Sequence, residues 1–312
     1  MANALANALV PIFAGLLLGF WAGRRGWMDN GNVRNLIALV MNVAIPCAMF
    51  SIISRSSREV LERQWSAALI IALAFGAIYA ACYLWARRVG KMSIPDAAVE
   101  ALTIGFPNSA AIGLPLLAGV LGSEAAVTAA LSIAVGSITL SPVTLAMLDM
   151  TGDKEASTFR SKALFAGLLH SFRRPVVWSP VLALVFVASG AHFPSYVTAT
   201  LKTLGSASTG SALLLTGLVI SAQPIKADGS VVWATFGKLV AQPLLAIALC
   251  LLLHLDHDQL RDIALLCAVP AGFFGIVFGE PSHAEPEVAS SSLIVTNVLS
   301  VFTLPLWLLI LK

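Results

Sequence analysis

Charge is what this chain lacks most: Asp, Glu, Lys and Arg make up 11% of its 312 residues, against 58% hydrophobic residues. Soluble domains carry roughly 25% charged residues. A chain with about half that, its few charges set between long apolar runs, has the composition of an integral membrane protein. Cysteine is scarce too. Cys47, Cys82, Cys250 and Cys267 lie inside apolar runs with no Cys-x-x-Cys spacing. They read as small buried hydrophobes, not as a disulfide framework or a metal site. His254, His257 and His283 show no metal spacing either. There is no Walker sequence, nucleophile elbow or His-Glu-x-x-His, so an ATP-driven pump and a membrane hydrolase lack support and the chain reads as a non-enzyme. The net charge of +3 comes from basic residues dispersed over short loops, which argues against a nucleic-acid partner. No basic stretch precedes the first apolar run near Ala4, so that run is expected to be a retained helix.

What is present is apolar length. A spanning helix needs roughly 20 mostly apolar residues. By that measure the chain is expected to be an all-α polytopic membrane protein with ten spans, at about 4–22, 36–53, 65–86, 97–121, 125–149, 176–193, 200–222, 232–254, 262–279 and 288–311. The loops after odd-numbered spans hold twelve Lys and Arg, whereas the even loops and the termini hold five. The positive-inside rule then puts odd loops in the cytoplasm and both termini outside, periplasmic for a bacterial inner membrane. In the longest loop, about 150–175, Phe159, Leu164, Phe165, Leu168 and Leu169 interleave with Arg160, Lys162, Arg173 and Arg174. That pattern suits an amphipathic helix on the inner leaflet or a solvated linker.

Proline spacing suggests an internal repeat. Pro107 to Pro142 and Pro270 to Pro305 are both 35 residues; Pro11 to Pro107 is 96 and Pro175 to Pro270 is 95. Five spans per repeat is an odd number, so the second copy is inverted in the membrane. Matching interruptions in inverted repeats point to the midplane site of a secondary transporter. The matching spans are four and nine, broken at Gly105-Phe106-Pro107-Asn108-Ser109 and at Val269-Pro270-Ala271-Gly272-Phe273-Phe274-Gly275. Proline lacks an N–H and pushes the residue before it out of helical geometry. The half-helix that follows offers unpaired N–H groups and a positive dipole end, which suits an anion.

Candidate substrate-binding residues are Pro107, Asn108, Ser109 and Gly113 in span four, and Pro270, Gly272, Phe273 and Phe274 in span nine. Lys238, with Gln242 one turn on, is either a snorkelling lysine or a fixed cation for an anionic substrate. Ser291, Thr296 and Ser300 polarise span ten and are candidate oxygen ligands for a co-transported Na⁺; close helix packing explains them equally. Asn42 is read as a helix–helix hydrogen bond, and Asp96 and Glu100 as residues of a solvated helix start.

Several segments resemble the auxin efflux carrier family, and bacterial malonate transporters within it. They are Phe-Pro-Asn-Ser-Ala-Ala-Ile-Gly-Leu-Pro-Leu-Leu at 106–117, Lys238-x4-Pro243, Ala271-Gly-Phe-Phe-Gly-Ile-Val-Phe-Gly279 and Ser300-x4-Pro305. Gly210–Gly217 and Lys162–Pro180 look like that subgroup as well. The resemblance runs end to end. It implies two inverted five-helix repeats, 1–149 and 176–312, joined by a cytoplasmic linker at 150–175, with helices four and nine crossing at their prolines at the substrate site. It also implies a scaffold of helices one, two, six and seven that forms homodimers, and a transport domain of helices three to five and eight to ten. The function so implied is import of malonate or a similar small dicarboxylate across the bilayer by an elevator-type mechanism. No cofactor is expected beyond co-transported H⁺ or Na⁺. The alternatives are an exporter of another organic carboxylate, such as an auxin-like acid, and a non-transporting membrane sensor. Plant members carry an asparagine beside the second crossover where this chain has Ala271-Gly272, and span three lacks the acidic residue discussed for plant carriers, so auxin is disfavoured.

Overall fold

The computed structural model describes residues 2–56, 58–148, 174–191, 193–223, 228–284 and 286–311. The anticipated linker therefore lies, up to Arg173, outside the described residues. The described residues form no strand beyond one isolated bridge. The helices are α1 (Ala2–Arg24), α2 (Arg34–Ile53), α3 (Arg58–Arg88), α4 (Ile94–Gly105), α5 (Ser109–Val120), α6 (Ser123–Leu148), α7 (Pro175–Ala188), α8 (Ser195–Ala222), α9 (Gly229–Leu252), α10 (His257–Ala268), α11 (Phe274–Gly279) and α12 (Glu287–Ile310). Seven of them, α1, α2, α3, α6, α8, α9 and α12, are long and apolar enough to cross a membrane. Large apolar side chains such as Leu17, Trp65, Leu252 and Phe302 point outward from these helices and are exposed. Lipid is the solvent that suits such a surface.

Local chemistry explains most of the punctuation. Three helices widen into a π turn just before a proline: Val40–Ala44 before Pro46, Ser109–Gly113 before Pro115, and Gly237–Ala241 before Pro243. A proline ring collides with the carbonyl four residues back and offers that carbonyl no N–H. Widening the preceding turn accommodates the ring without ending the helix. Asn42, read from sequence as a helix–helix hydrogen bond, sits instead in the first of these turns and is exposed. The sixth apolar run gives a helix of only 14 residues, shorter than expected, because Gly190 turns the chain with φ +67. α8 then starts at Ser195, earlier than expected, with the Pro194 carbonyl accepting from the N–H groups of Val197 and Thr198.

The chain forms two compact units. The first comprises Met1–Leu69, Ser109–Ala134 and Arg174–Ala222. Here α1 packs along α8 through small residues. A Cβ on Gly19 would strike the Leu214 carbonyl, and one on Gly217 would strike the Leu16 carbonyl and lie 2.6 Å from the Phe20 nitrogen. Such contacts let two backbones meet where lipid supplies no hydrophobic drive. Gln64 and Thr128 exchange hydrogen bonds of 3.0 and 3.2 Å, and Phe50 packs with Phe186 and Phe193. The second unit comprises Ile70–Asn108, Val135–Arg173 and Gln223–Lys312. In it α4 packs against α11 and α12, and α9 against α10 and α12. Tyr79 bonds Thr144 at 2.9 Å, and Gly136 makes room for the Phe106 ring.

Candidate functional site

α4 begins with a side-chain cap: Ser93 Oγ accepts from the Asp96 N–H and donates to the Asp96 carboxylate at 2.6 Å. The helix runs to Gly105, and Phe106, the residue before Pro107, is extended with φ −104 and ψ 104. α10 repeats the pattern. It is capped by Asp256 and runs to Ala268, after which Val269, before Pro270, takes φ −58 and ψ 138. Each proline forces its predecessor out of helical geometry, so both helices stop where the sequence says they must.

The two extended segments cross antiparallel within the second unit. Pro107 pairs with Ala271, the Asn108 N–H donates to the Pro270 carbonyl at 2.9 Å, and the Gly272 N–H donates to the carbonyls of Phe106 and Thr103, both at 3.1 Å. Pro270, with no N–H to give, contributes its carbonyl. Gly272 is required by proximity: an added Cβ would stand 2.6 Å from the Phe106 oxygen. The Ala271 N–H donates to Thr296 Oγ1 at 3.2 Å, and that hydroxyl donates to the Ser292 carbonyl at 2.7 Å.

Lys238 and Gln242 hold this crossing from α9. Lys238 is fully buried, so it does not snorkel. Its Nζ donates to Gln242 Oε1 and, at 3.0 Å, to the Cys267 carbonyl. Gln242 Nε2 donates to the Gly105 carbonyl at 2.9 Å. Cys267 and Gly105 lie at the C-terminal ends of α10 and α4, where carbonyls lack intrahelical partners and the dipole is negative. One lysine–glutamine pair thus satisfies the loose ends of both half-helices. Pro243, one residue beyond the pair, leaves the Leu239 carbonyl without its helical donor, and the Trp307 indole N–H supplies one at 3.0 Å.

The structure therefore brings Pro107, Asn108, Pro270, Gly272, Phe273 and Phe274 together, all of them buried. Ser109 and Gly113 belong to the first unit, in a π turn packed on α8; Ser109 Oγ is buried with no hydrogen-bond partner among the described residues. Of the ion-site candidates, Thr296 bonds the crossing, while Ser300 Oγ donates to the Asn297 carbonyl at 2.6 Å. Ser291 is buried but lies about 140° round the helix from Thr296.

Two further residues come into view. Asn297 donates through Nδ2 to the Leu293 carbonyl at 2.8 Å and reaches the Ala271 carbonyl at 3.5 Å; its Oδ1 is buried with no partner among the described residues. The second crossover has no asparagine of its own, yet an amide reaches it from α12. The sequence signal was a Thr-Asn pair inside an apolar helix. Glu100 corrects an expectation: it is 2% exposed, not part of a solvated helix start. α11 and α12 cover the half-helix one turn beyond Asp96.

The family model described as "Membrane transport protein" matches residues 4–308. The chain is 28% identical over 303 residues to "Uncharacterized transporter YfdV" of Escherichia coli K12, covering 96% of this chain and 95% of that one. It is 24% identical over 311 residues to an "Uncharacterized transporter" of Methanothermobacter thermautotrophicus, covering 98% of each. A Rhizobium meliloti protein named "Putative malonate transporter" is 22% identical over 314 residues, covering 96% of this chain and 93% of that one.

Proposed function

Because the chain belongs to the membrane transport protein family, of auxin efflux carrier type, we propose that it is a secondary active transporter that imports malonate or a similar small dicarboxylate. The observation that carries this reading is the crossing at Pro107 and Pro270. Lys238 and Gln242 occupy the carbonyl ends of α4 and α10. Within the second unit the start of α11 then remains as the open end, with first-turn N–H groups and a positive dipole end suited to a carboxylate. Asn108 adds an amide at the crossing, with Gly272 as a close backbone approach. Phe106, Phe273 and Phe274 are buried and pack on one another, with the Phe274 ring centroid 4.8 Å from that of Phe106 and 5.2 Å from that of Phe273, which favours a small acid over an aromatic one. The name of the Rhizobium meliloti relative points the same way.

Counting the interrupted pairs α4–α5 and α10–α11 as one span each, and α7 as a short span, gives ten spans in two inverted repeats. The repeat is supported by Pro107 and Pro270 interrupting their helices alike and by Pro142 and Pro305 both lying inside long helices. In this reading both termini face the periplasm of a bacterial inner membrane. α1, α2, α7 and α8 form the scaffold, which homodimerises, and the second unit carries the substrate as an elevator. Those four helices do fall in one compact unit, which also takes in α5, the start of α3 and the first half of α6.

Malonate is a dianion near neutral pH. Moving two charges against 100 mV costs about 4.6 kcal/mol, from about 2.3 per charge. Import therefore needs co-transported H⁺ or Na⁺, or a steep malonate gradient, and Thr296 and Ser300 are the candidate Na⁺ ligands. Counterflow of labelled malonate into liposomes holding the purified protein tests the reading. Asn108→Ala is expected to raise the half-saturation concentration about tenfold, the equivalent of one hydrogen bond to a charged group. Absence of counterflow with malonate, alongside exchange of an aromatic acid, would move the assignment to the exporter.

A further inference from the structure

Glu100 takes no part in the crossing, yet it stands on the same half-helix, five residues before the Gly105 carbonyl that Gln242 holds. Its side chain is buried, and Oε2 has no hydrogen-bond partner among the described residues. No Lys, Arg or His among them forms an ion pair with it. It lines a cavity of about 190 Å³ whose other walls include Cys82, Trp85, Trp233, Phe236 and Gly237. The wall is apolar almost throughout. The cavity also touches Ala241, so Gly237 and Ala241, which precede Lys238 and Gln242, form its side nearest the crossing.

The ionisable groups around Glu100 are few. α3 contributes Cys82 to the cavity; α9 carries Asp228 at its N-cap and Lys238, neither of which lines it. Lys238 is engaged by Gln242 and Cys267. α11 has no ionisable residue. Glu280 and His283 after it, and Glu287 at the start of α12, are exposed. An ionised carboxylate against so apolar a wall, with no counter-cation paired to it among the described residues, is costly, and a bound proton removes that cost.

We propose that Glu100 is the proton-carrying group of this transporter: it takes up a proton on the outward-facing side and releases it inside, with the Trp85–Trp233 cavity as its access route. This rests on the transport reading above. One proton carried per malonate offsets one of the two charges that oppose import.

Two measurements test it on the full-length protein in liposomes. Infrared difference spectroscopy across a pH titration needs no substrate. Wild type is expected to show a titrating protonated-carboxyl band that Glu100→Gln lacks and Glu100→Asp retains; superimposable wild-type and Glu100→Gln spectra overturn the proposal. The second compares malonate uptake with and without an imposed gradient of one pH unit, acid outside. For one proton per malonate the expected wild-type ratio is about tenfold, falling to about one in Glu100→Gln and recovering in part in Glu100→Asp. A wild type that exchanges malonate but ignores the gradient overturns the proton site and leaves the transport reading intact. A wild type that exchanges no malonate removes the substrate assignment, and the infrared result then decides Glu100 alone.

Discussion

The pair Lys238 and Gln242 makes the sharpest energetic prediction. Lys238→Met removes two hydrogen bonds and orphans the Cys267 carbonyl and Gln242 Oε1. Each orphaned acceptor costs about 1–3 kcal/mol. The same change relieves the protein of a buried amine, and desolvating an ammonium costs several kcal/mol. The two effects are of equal size and opposite sign, so the single mutant does not discriminate. A double-mutant cycle with Gln242→Leu does, because the desolvation of each side chain cancels and the coupling remains. Bonds to charged groups in soluble proteins are worth about 1.5–3 kcal/mol. Interhelical bonds in membranes average about 0.6, with a ceiling near 1.7. The pair bridges the carbonyl ends of two half-helices, so the coupling should sit at the membrane ceiling, about 1.5 kcal/mol. Reversible unfolding in mixed detergent–lipid micelles measures it. Additivity within about 0.5 kcal/mol would refute the claim that the pair braces the two half-helices as a unit.

Other perturbations bear on single contacts. Gly272→Ala sets a Cβ against the Phe106 carbonyl, a backbone atom that cannot step aside; loss of about 1–3 kcal/mol in unfolding free energy is expected, with counterflow lost as well, and wild-type stability would show the crossing is looser than described. Trp307→Phe keeps the ring and removes the donor to the Leu239 carbonyl, costing about 1–3 kcal/mol. Adding Pro243→Ala should recover much of that, since a helical N–H can then reach Leu239; thermal unfolding that shows no recovery assigns the loss to ring packing. Gly217→Leu holds α8 away from α1 and should lower the unfolding temperature of the first unit, whereas Gly210→Leu, with open space where its Cβ would be, should not.

Much of this was legible in the residues. A proline's missing N–H acts on its own helix, so the breaks at Pro107 and Pro270 could be read from local chemistry, and their crossing followed from the resemblance. Apolar length likewise marked the long helices, because it requires no knowledge of neighbours. α7 fell short because the apolar run continues past a glycine that turns. Glu100 was misread for a related reason: helical period gives the face a residue lies on, but the cover over that face comes from α11 and α12, far along the chain. Lys238 was open between snorkelling and burial until its acceptors, 29 residues away at Cys267 and through Gln242 a further 137 at Gly105, were brought alongside.

The sequence by itself determined that this protein is apolar enough for a bilayer, where its helices must break, and which family it belongs to. Tertiary structure decided what those breaks meet: that the two extended segments bond each other, that a lysine–glutamine pair closes their carbonyl ends, that Asn297 brings an amide to a crossover without one, and that Glu100 is buried with Oε2 unpartnered among the described residues. The division has a physical reason. Breaking a helix is a covalent property of one residue, whereas satisfying the groups set free depends on which distant side chain packing delivers.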